Sequence, residues 1–206
     1  MIFEMTLTIL ILSIVMAVVY AGIASMTNTA AGTNVRLQNL DEARIMMATV
    51  TKDIRTATSP QSGTSAFVNA APTDLQFYAN LNNVGSAASL VHVYIDASTQ
   101  LVETVTPATV AGGGSCATWP CLYNTGMKTR FVGRYAVNTA ANPLFTYLDV
   151  NRNPIGNGTL TAAQLDSVRW VQVSLSVSKT QKYNTAVMSM ENTVGLPNVA
   201  YQQNTG

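Results

Sequence analysis

Charged side chains are scarce in this sequence. Asp, Glu, Lys and Arg together make up 10% of its 206 residues, and the formal net charge is +1. Recognition of a nucleic acid or of an anionic membrane surface requires a cluster of basic residues, which the chain does not offer. The expected partners are therefore other protein chains and not nucleic acid.

Residues that commonly carry catalysis or bind metal are also few. The only histidine, His92, lies in a strand-like run with no cysteine nearby in sequence. There is no Ser/His/Asp arrangement, no phosphate-binding glycine loop followed by Lys-Ser/Thr, and no convincing pair of carboxylates. We therefore predict that the protein is not an enzyme and has neither a cofactor nor a metal site.

Cysteine occurs only twice, as Cys116 and Cys121, with Pro120 between them. A disulfide is the favoured interpretation. The alternative, a metal site, would need further ligands, and none lies near the two cysteines in sequence. Because the closed loop is short, the bond is expected to stabilise the protein modestly and to fix a surface loop in an oxidising compartment.

Proline is absent before Pro60, and residues 1–26 are almost uniformly apolar with Glu4 as their single charge. A helix of 26 residues is about 39 Å long, which exceeds the roughly 30 Å hydrocarbon core of a bilayer. We therefore predict that residues 1–26 form an apolar helix that crosses a membrane or lies in the core of a filament. The segment is too long for a signal peptide and has no basic flank, so we expect it to be retained after removal of a basic leader.

Glu4 is an unusual residue for such a segment, because a carboxylate is costly in an apolar environment unless it is paired. One interpretation is that an amine of a neighbouring chain neutralises Glu4. The alternative is that Glu4 lies at the level of the lipid headgroups.

Residues 27–58 are predicted to continue the helix into a globular head. Apolar residues recur there at spacings of three and four, which is typical of an amphipathic helix packed along one face; they are Leu40, Ala43, Met47, Val50, Ile54 and Ala57. Pro60 ends the predicted helix. A continuous helix to Ala57 would be about 85 Å long, so half of it must project from a small domain. A projecting helix that is apolar on all sides is stable in lipid or in a bundle of identical helices.

Residues 59–206 are predicted to form a β-rich head. Alternating or β-branched runs separated by Asn, Gly and Ser turns indicate strands at 75–78, 89–96, 100–106, 128–138, 144–149, 168–178 and 186–194. A short helix is expected at 159–167. The predicted fold class is α+β, with the amphipathic half of the long helix packed on an antiparallel sheet.

Three segments resemble the type IV pilin superfamily, and within it the larger minor pilins and pseudopilins. The stretch from Met1 to Val19 is similar to a mature pilin N-terminus, in which an apolar helix carries an early glutamate. Residues 40–57 are similar to the second half of the helix in the larger members. Residues 143–177, followed by 185–198, are similar to their late turn, short helix and strands.

The resemblance implies a leader cleaved by a prepilin peptidase, an N-methylated first residue and extraction of the apolar helix from the inner membrane into a filament. It implies that Met1, Phe3 and Glu4 take part in assembly, with Glu4 neutralising the terminal amine of Met1 on a neighbouring subunit. The family glutamate is usually the fifth mature residue, whereas here the fifth residue is Met5. The family's helix-loosening proline is absent, which leaves Gly22 as the predicted point of local melting.

We therefore expect a structural subunit of an extracellular type IV pilus-like filament, a homo-oligomer that lies in the inner membrane before assembly and requires the inner-membrane assembly machinery. Two alternatives remain. One is a minor pilin or a type II secretion pseudopilin at a filament tip, and the other is a membrane-anchored adhesion or binding domain that does not polymerise. Adhesion, motility, DNA uptake and secretion are all compatible with the sequence.

Overall fold

The computed structural model describes residues 2–81, 87–179 and 187–199. Its largest element is one long helix, α1 (Ile2–Arg55), which is followed by antiparallel strands and a short helix, α2 (Ala162–Leu165). The α+β architecture predicted from the sequence is confirmed. Met1 and the first residue of the predicted strand at 186–194 lie outside the described residues.

The strands form two sheets where the sequence predicts one. The first sheet has five antiparallel strands in chain order, namely β1 (Phe67–Ala70), β2 (Asp74–Ala79), β3 (Ser89–Ile95), β4 (Leu101–Thr106) and β5 (Lys128–Gly133). The second has three, namely β6 (Phe145–Leu148), β7 (Trp170–Val177) and β8 (Met188–Gly195). A single bridge between Ala136 and Val177 connects the two sheets just after β5.

Strand boundaries follow the local sequence closely. In β7, Val171, Val173, Leu175 and Val177 are buried, so Val171 and not Trp170 begins the inward-facing alternation. β5 is shorter than the predicted 128–138, because Tyr135 adopts a φ of 63°, which a strand does not allow. β1 was not predicted from the sequence.

Only the C-terminal part of α1 packs against the sheets. Burial begins at Val35, and the buried face continues through Ala43, Met47, Val50 and Ile54. This face contacts β5, β7 and β8. The predicted amphipathic stripe is therefore confirmed, and the main core lies between it and the two sheets.

α1 ends at Arg55, two residues before the predicted end at Ala57. Ala57 instead forms a bridge with Ala79 of β2. The backbone N–H of Thr58 donates to the carbonyl of Tyr78 at 2.9 Å, and this bond continues the bridge. Pairing with the sheet thus replaces the last helical hydrogen bonds before Pro60 is reached.

Candidate functional site: the exposed half of the long helix

Residues 2–34 form the exposed half of α1. None of them is buried, whereas burial begins at Val35. With a rise of about 1.5 Å per residue, these 33 residues are about 50 Å long. The head therefore supports a helical rod that is longer than the hydrocarbon core of a bilayer.

Large apolar side chains cover every side of this rod from Ile2 to Met26. Sixteen of them between Ile2 and Met26 are exposed, including Val18 at 68% and Tyr20 at 75%. They occupy consecutive positions, for example 9–12 and 18–20, so no face is polar. The most apolar window of 18 residues has a mean hydropathy of 2.6 and no buried residue. The segment is long and apolar enough to anchor the protein in a membrane.

Three hydroxyl groups in this segment bond within the helix. Thr6, Thr8 and Ser13 each donate to the backbone carbonyl three residues earlier, at 2.8–2.9 Å. An apolar environment requires polar groups to be satisfied internally. These three hydroxyls therefore add little cost when the rod enters lipid or a dry bundle.

Glu4 lies in the first turn of α1 and is exposed. Among residues 2–35 it is the only charged side chain, and a negative charge at the N-terminus of a helix interacts favourably with the helix dipole. Phe3 beside it is 80% exposed. Because Met1 lies outside the described residues, the pairing of Glu4 with the amine of Met1 stays a prediction.

Gly22 lies in the middle of the rod, and α1 continues through it without a break. A Cβ atom added at Gly22 would meet nothing within 4 Å, so no contact in the single chain requires glycine there. Small residues on one face near it, including Ala21, Ser25 and Asn28, line a shallow groove. Local melting at Gly22 stays a prediction.

The predicted disulfide between Cys116 and Cys121 is confirmed, with the Cα atoms 5.8 Å apart. Its loop is anchored on the first sheet, because the rings of Trp119 and Tyr123 lie 5.7 and 5.3 Å from that of Tyr78. The Tyr123 hydroxyl donates a hydrogen bond to the backbone carbonyl of Ala88 at 2.9 Å. Burial is the main cause that raises the pKa of Tyr123 to about 12, and the neighbouring Tyr78 contributes to the same shift.

His92 lies in β3, as the strand-like run predicts. Its Nε2 is 2.9 Å from Oδ2 of Asp74, and its ring stacks on Tyr94 with the centroids 4.5 Å apart. Within the described part of the chain, no group of three or more His, Cys, Asp or Glu residues is placed to hold a metal ion.

A cluster of charged residues that the sequence does not reveal joins α1 to the first sheet. It consists of Asp53 from α1, Glu103 from β4 and Arg130 from β5. Nη2 of Arg130 lies 3.3 Å from Oδ2 of Asp53 and hydrogen-bonds Oε2 of Glu103. The side chains of Asp53 and Glu103 are only 8% and 5% exposed.

The electrostatics of this cluster are strongly perturbed. Burial, together with the neighbouring Glu103 carboxyl, raises the pKa of Asp53 from 3.8 to about 7. The hydrogen bond to Glu103 raises the pKa of Arg130. The strand pattern contains one signal for this cluster, since Glu103 lies in phase with the buried Leu101.

Comparison with protein-family models, with curated proteins and with solved structures finds no match. The observed architecture is a long apolar N-terminal helix followed by antiparallel sheets and a disulfide. That architecture is compatible with a pilin-like fold.

Proposed function

We propose that this protein is a structural subunit of an extracellular type IV pilus-like filament. In the proposed filament, residues 1–26 of neighbouring copies bundle into the core and the heads form the surface. The observation that supports this most strongly is the rod itself, which is unburied and is apolar on all sides up to Met26, while its continuation packs in the head.

The size of the apolar surface makes exposure to water untenable. Burying one fully exposed large apolar side chain contributes about 1.5–3 kcal/mol. The sixteen side chains are 49–84% exposed, so burying their remaining surface contributes on the order of 20 kcal/mol. A whole domain is stabilised by only about 5–15 kcal/mol. The rod therefore requires lipid before assembly and, in the proposed filament, the rods of other copies afterwards.

Glu4 supports bundling over simple anchoring. A carboxylate among apolar neighbours is tolerated chiefly when an opposite charge neutralises it. The resemblance to pilins implies that this opposite charge is the terminal amine of Met1 on the next subunit. This pairing would also set the axial offset between copies, because the two groups must lie at the same height.

A second candidate function is a membrane-anchored binding domain that does not polymerise. The outer face of the first sheet favours it, because Tyr78, Tyr94, Trp119 and Tyr123 are partly exposed there and residues 107–127 carry no charge. A minor pilin or pseudopilin at a filament tip would use the same rod in the same way as the main proposal.

The test compares two matched substitutions on the same helix, made in the cell that produces the protein. Glu4→Gln removes the negative charge in the rod, whereas Glu42→Gln removes a negative charge beside the head. In the wild type, Oε1 of Glu42 accepts a hydrogen bond from the backbone N–H of Arg134 at 3.0 Å, and the glutamine side-chain oxygen can accept the same bond. Sheared surface material is examined by electron microscopy, and its subunits are identified by mass spectrometry, which also reports methylation of Met1.

We expect filaments from the wild type and from Glu42→Gln, and none from Glu4→Gln, whose product stays in the membrane fraction. Wild-type protein found only as single molecules embedded in membrane would refute the filament and favour the binding domain. Filaments of normal abundance from Glu4→Gln would refute the role of charge pairing.

A further inference from the structure

The charged cluster of Asp53, Glu103 and Arg130 lies where the C-terminal end of α1 meets the edge of the first sheet. Asp53 belongs to the last helical turn, Glu103 to β4 and Arg130 to the edge strand β5. The two turns of α1 before Asp53 have contacts of their own, because Met46, Met47 and Val50 are buried in the apolar core and α1 contacts β7 and β8 as well as β5. The cluster can therefore change without releasing the whole helix.

We propose that Asp53, Glu103 and Arg130 form a proton-dependent clasp, which fastens the end of α1 to β4 and β5 in acid and loosens as the pH rises through neutrality. The proposal does not depend on the filament, since it concerns the head alone.

The buried cluster holds more negative charge than positive charge. Two carboxyl groups, 8% and 5% exposed, share a single guanidinium. When both are ionised, one negative charge stays buried without compensation, which is costly in a medium of low dielectric constant. Binding one proton removes that excess and allows the two carboxyl groups to hydrogen-bond each other.

Within the part of the chain that the structure describes, the surroundings of the cluster do not supply a second buried cation. On α1, Lys52 favours the ionised form of Asp53, but its side chain is exposed and water screens its charge. On β5, Lys128 lies two residues before Arg130 and therefore on the same face of the strand, and it is also exposed. On the β3 side, Glu103 is paired with the buried apolar Val93.

The sign of the pH effect follows from the raised pKa of Asp53. Its pKa is about 7 in the folded head and near the ordinary 3.8 in the unfolded chain, so the folded state binds the proton more tightly. The stabilisation is complete below about pH 4 and is lost as the pH rises towards 7. Above that range Arg130, which is 57% exposed, pairs with two carboxylates that repel each other.

The test uses the full chain in detergent micelles. Unfolding of the head by guanidinium chloride is followed by fluorescence of Trp119 and Trp170 between pH 5 and pH 8. The unfolding equilibrium constant of the wild type should rise at least about tenfold over this range. In Glu103→Gln the rise should be at least about threefold smaller, because one carboxylate then faces one guanidinium while Asp53 stays buried.

Glu42→Gln is the matched control, and it should retain the wild-type pH dependence. Arg130→Gln should extend the loss of stability to higher pH, because it removes the charge that favours ionisation. If the cluster were instead an ion pair that does not change with pH, Arg130→Gln would lower the free energy of unfolding by the same amount at every pH. A pH-independent wild type, or a Glu103→Gln variant with the full wild-type dependence, would overturn the proposal.

Amide hydrogen exchange in the wild type provides a measurement that needs no variant to fold. After correction for the intrinsic effect of pH and for the fall in global stability, amides at residues 53–57 should exchange at least about fivefold faster at pH 8 than at pH 5. Those at residues 46–50 should not change. Equal acceleration of both segments would contradict a local clasp.

Discussion

The two halves of α1 are one continuous helix in two different environments. Residues 2–34 have no buried member and are apolar on every side up to Met26, whereas residues 35–55 bury one face and expose the other. Ile11 and Ile45 illustrate the difference, because they are exposed to nearly the same extent, 53% and 58%. Ile11 is surrounded by other exposed apolar residues, and Ile45 by charged and polar ones. The distribution of apolar residues, and not the secondary structure, therefore decides what each half must contact.

The largest expected effect comes from placing a charge in each half. Ile11→Asp puts a carboxylate among apolar neighbours on the rod, where an unpaired charge costs several kcal/mol. We expect surface filaments to be abolished while the unfolding midpoint of the head is unchanged. Electron microscopy of sheared material and guanidinium unfolding in micelles measure the two outcomes.

Ile45→Asp is the matched control, with the same substitution at similar exposure on the same helix. It should leave both filaments and head stability close to those of the wild type. If both variants lose filaments equally, the comparison between the two halves fails, because the head-bound half would then also lie in an intersubunit contact.

The second comparison uses methionines. Met46 is completely buried, whereas Met16 is 62% exposed. Met46→Ala should lower the free energy of unfolding of the head by about 2–5 kcal/mol, through lost burial and the cavity that remains. Met16→Ala should leave it within about 0.5 kcal/mol of wild type. A similar loss in both variants would mean that the rod contributes to the stability of the isolated head.

The third prediction concerns the disulfide, which lies far in sequence from either half of α1. Replacing Cys116 and Cys121 together by serine removes a short loop closure, which the chain-entropy relation values at about 2 kcal/mol. Guanidinium unfolding should show that loss, and amide exchange should increase in residues 107–127. Exchange at residues 46–50 should increase only as far as global stability falls. A selective increase of exchange at residues 46–50 would contradict a local stabilising role of the disulfide.

The sequence predicts the features that depend on local order. The absence of proline before Pro60 predicts the long helix, and alternation of apolar residues predicts seven of the eight described strands. The spacing of Cys116 and Cys121 is sufficient to predict their bond. In each case the decisive residues are neighbours in sequence.

Features that depend on long-range pairing could not be predicted. The division into two sheets depends on which strands pair, and alternation reports only which face is buried. The clasp joins Asp53, Glu103 and Arg130, which are far apart in sequence, and only the burial phase of Glu103 hints at it. The early end of α1 follows from the bridge between Ala57 and Ala79, which no helix signal contains.

The smallest expected effect concerns glycine. Gly22→Ala adds a Cβ that meets nothing within 4 Å in the single chain, so only the helical propensity changes, by about 1 kcal/mol. Amide exchange at residues 20–26 in micelles should slow about fivefold, with no change in the unfolding of the head. Gly133→Ala is the contrasting control, because its Cβ would overlap the Met46 side chain and should destabilise the head by about 1–3 kcal/mol. Unchanged exchange in Gly22→Ala would show that Gly22 is not a weak point of the rod, and the predicted local melting would then need another origin.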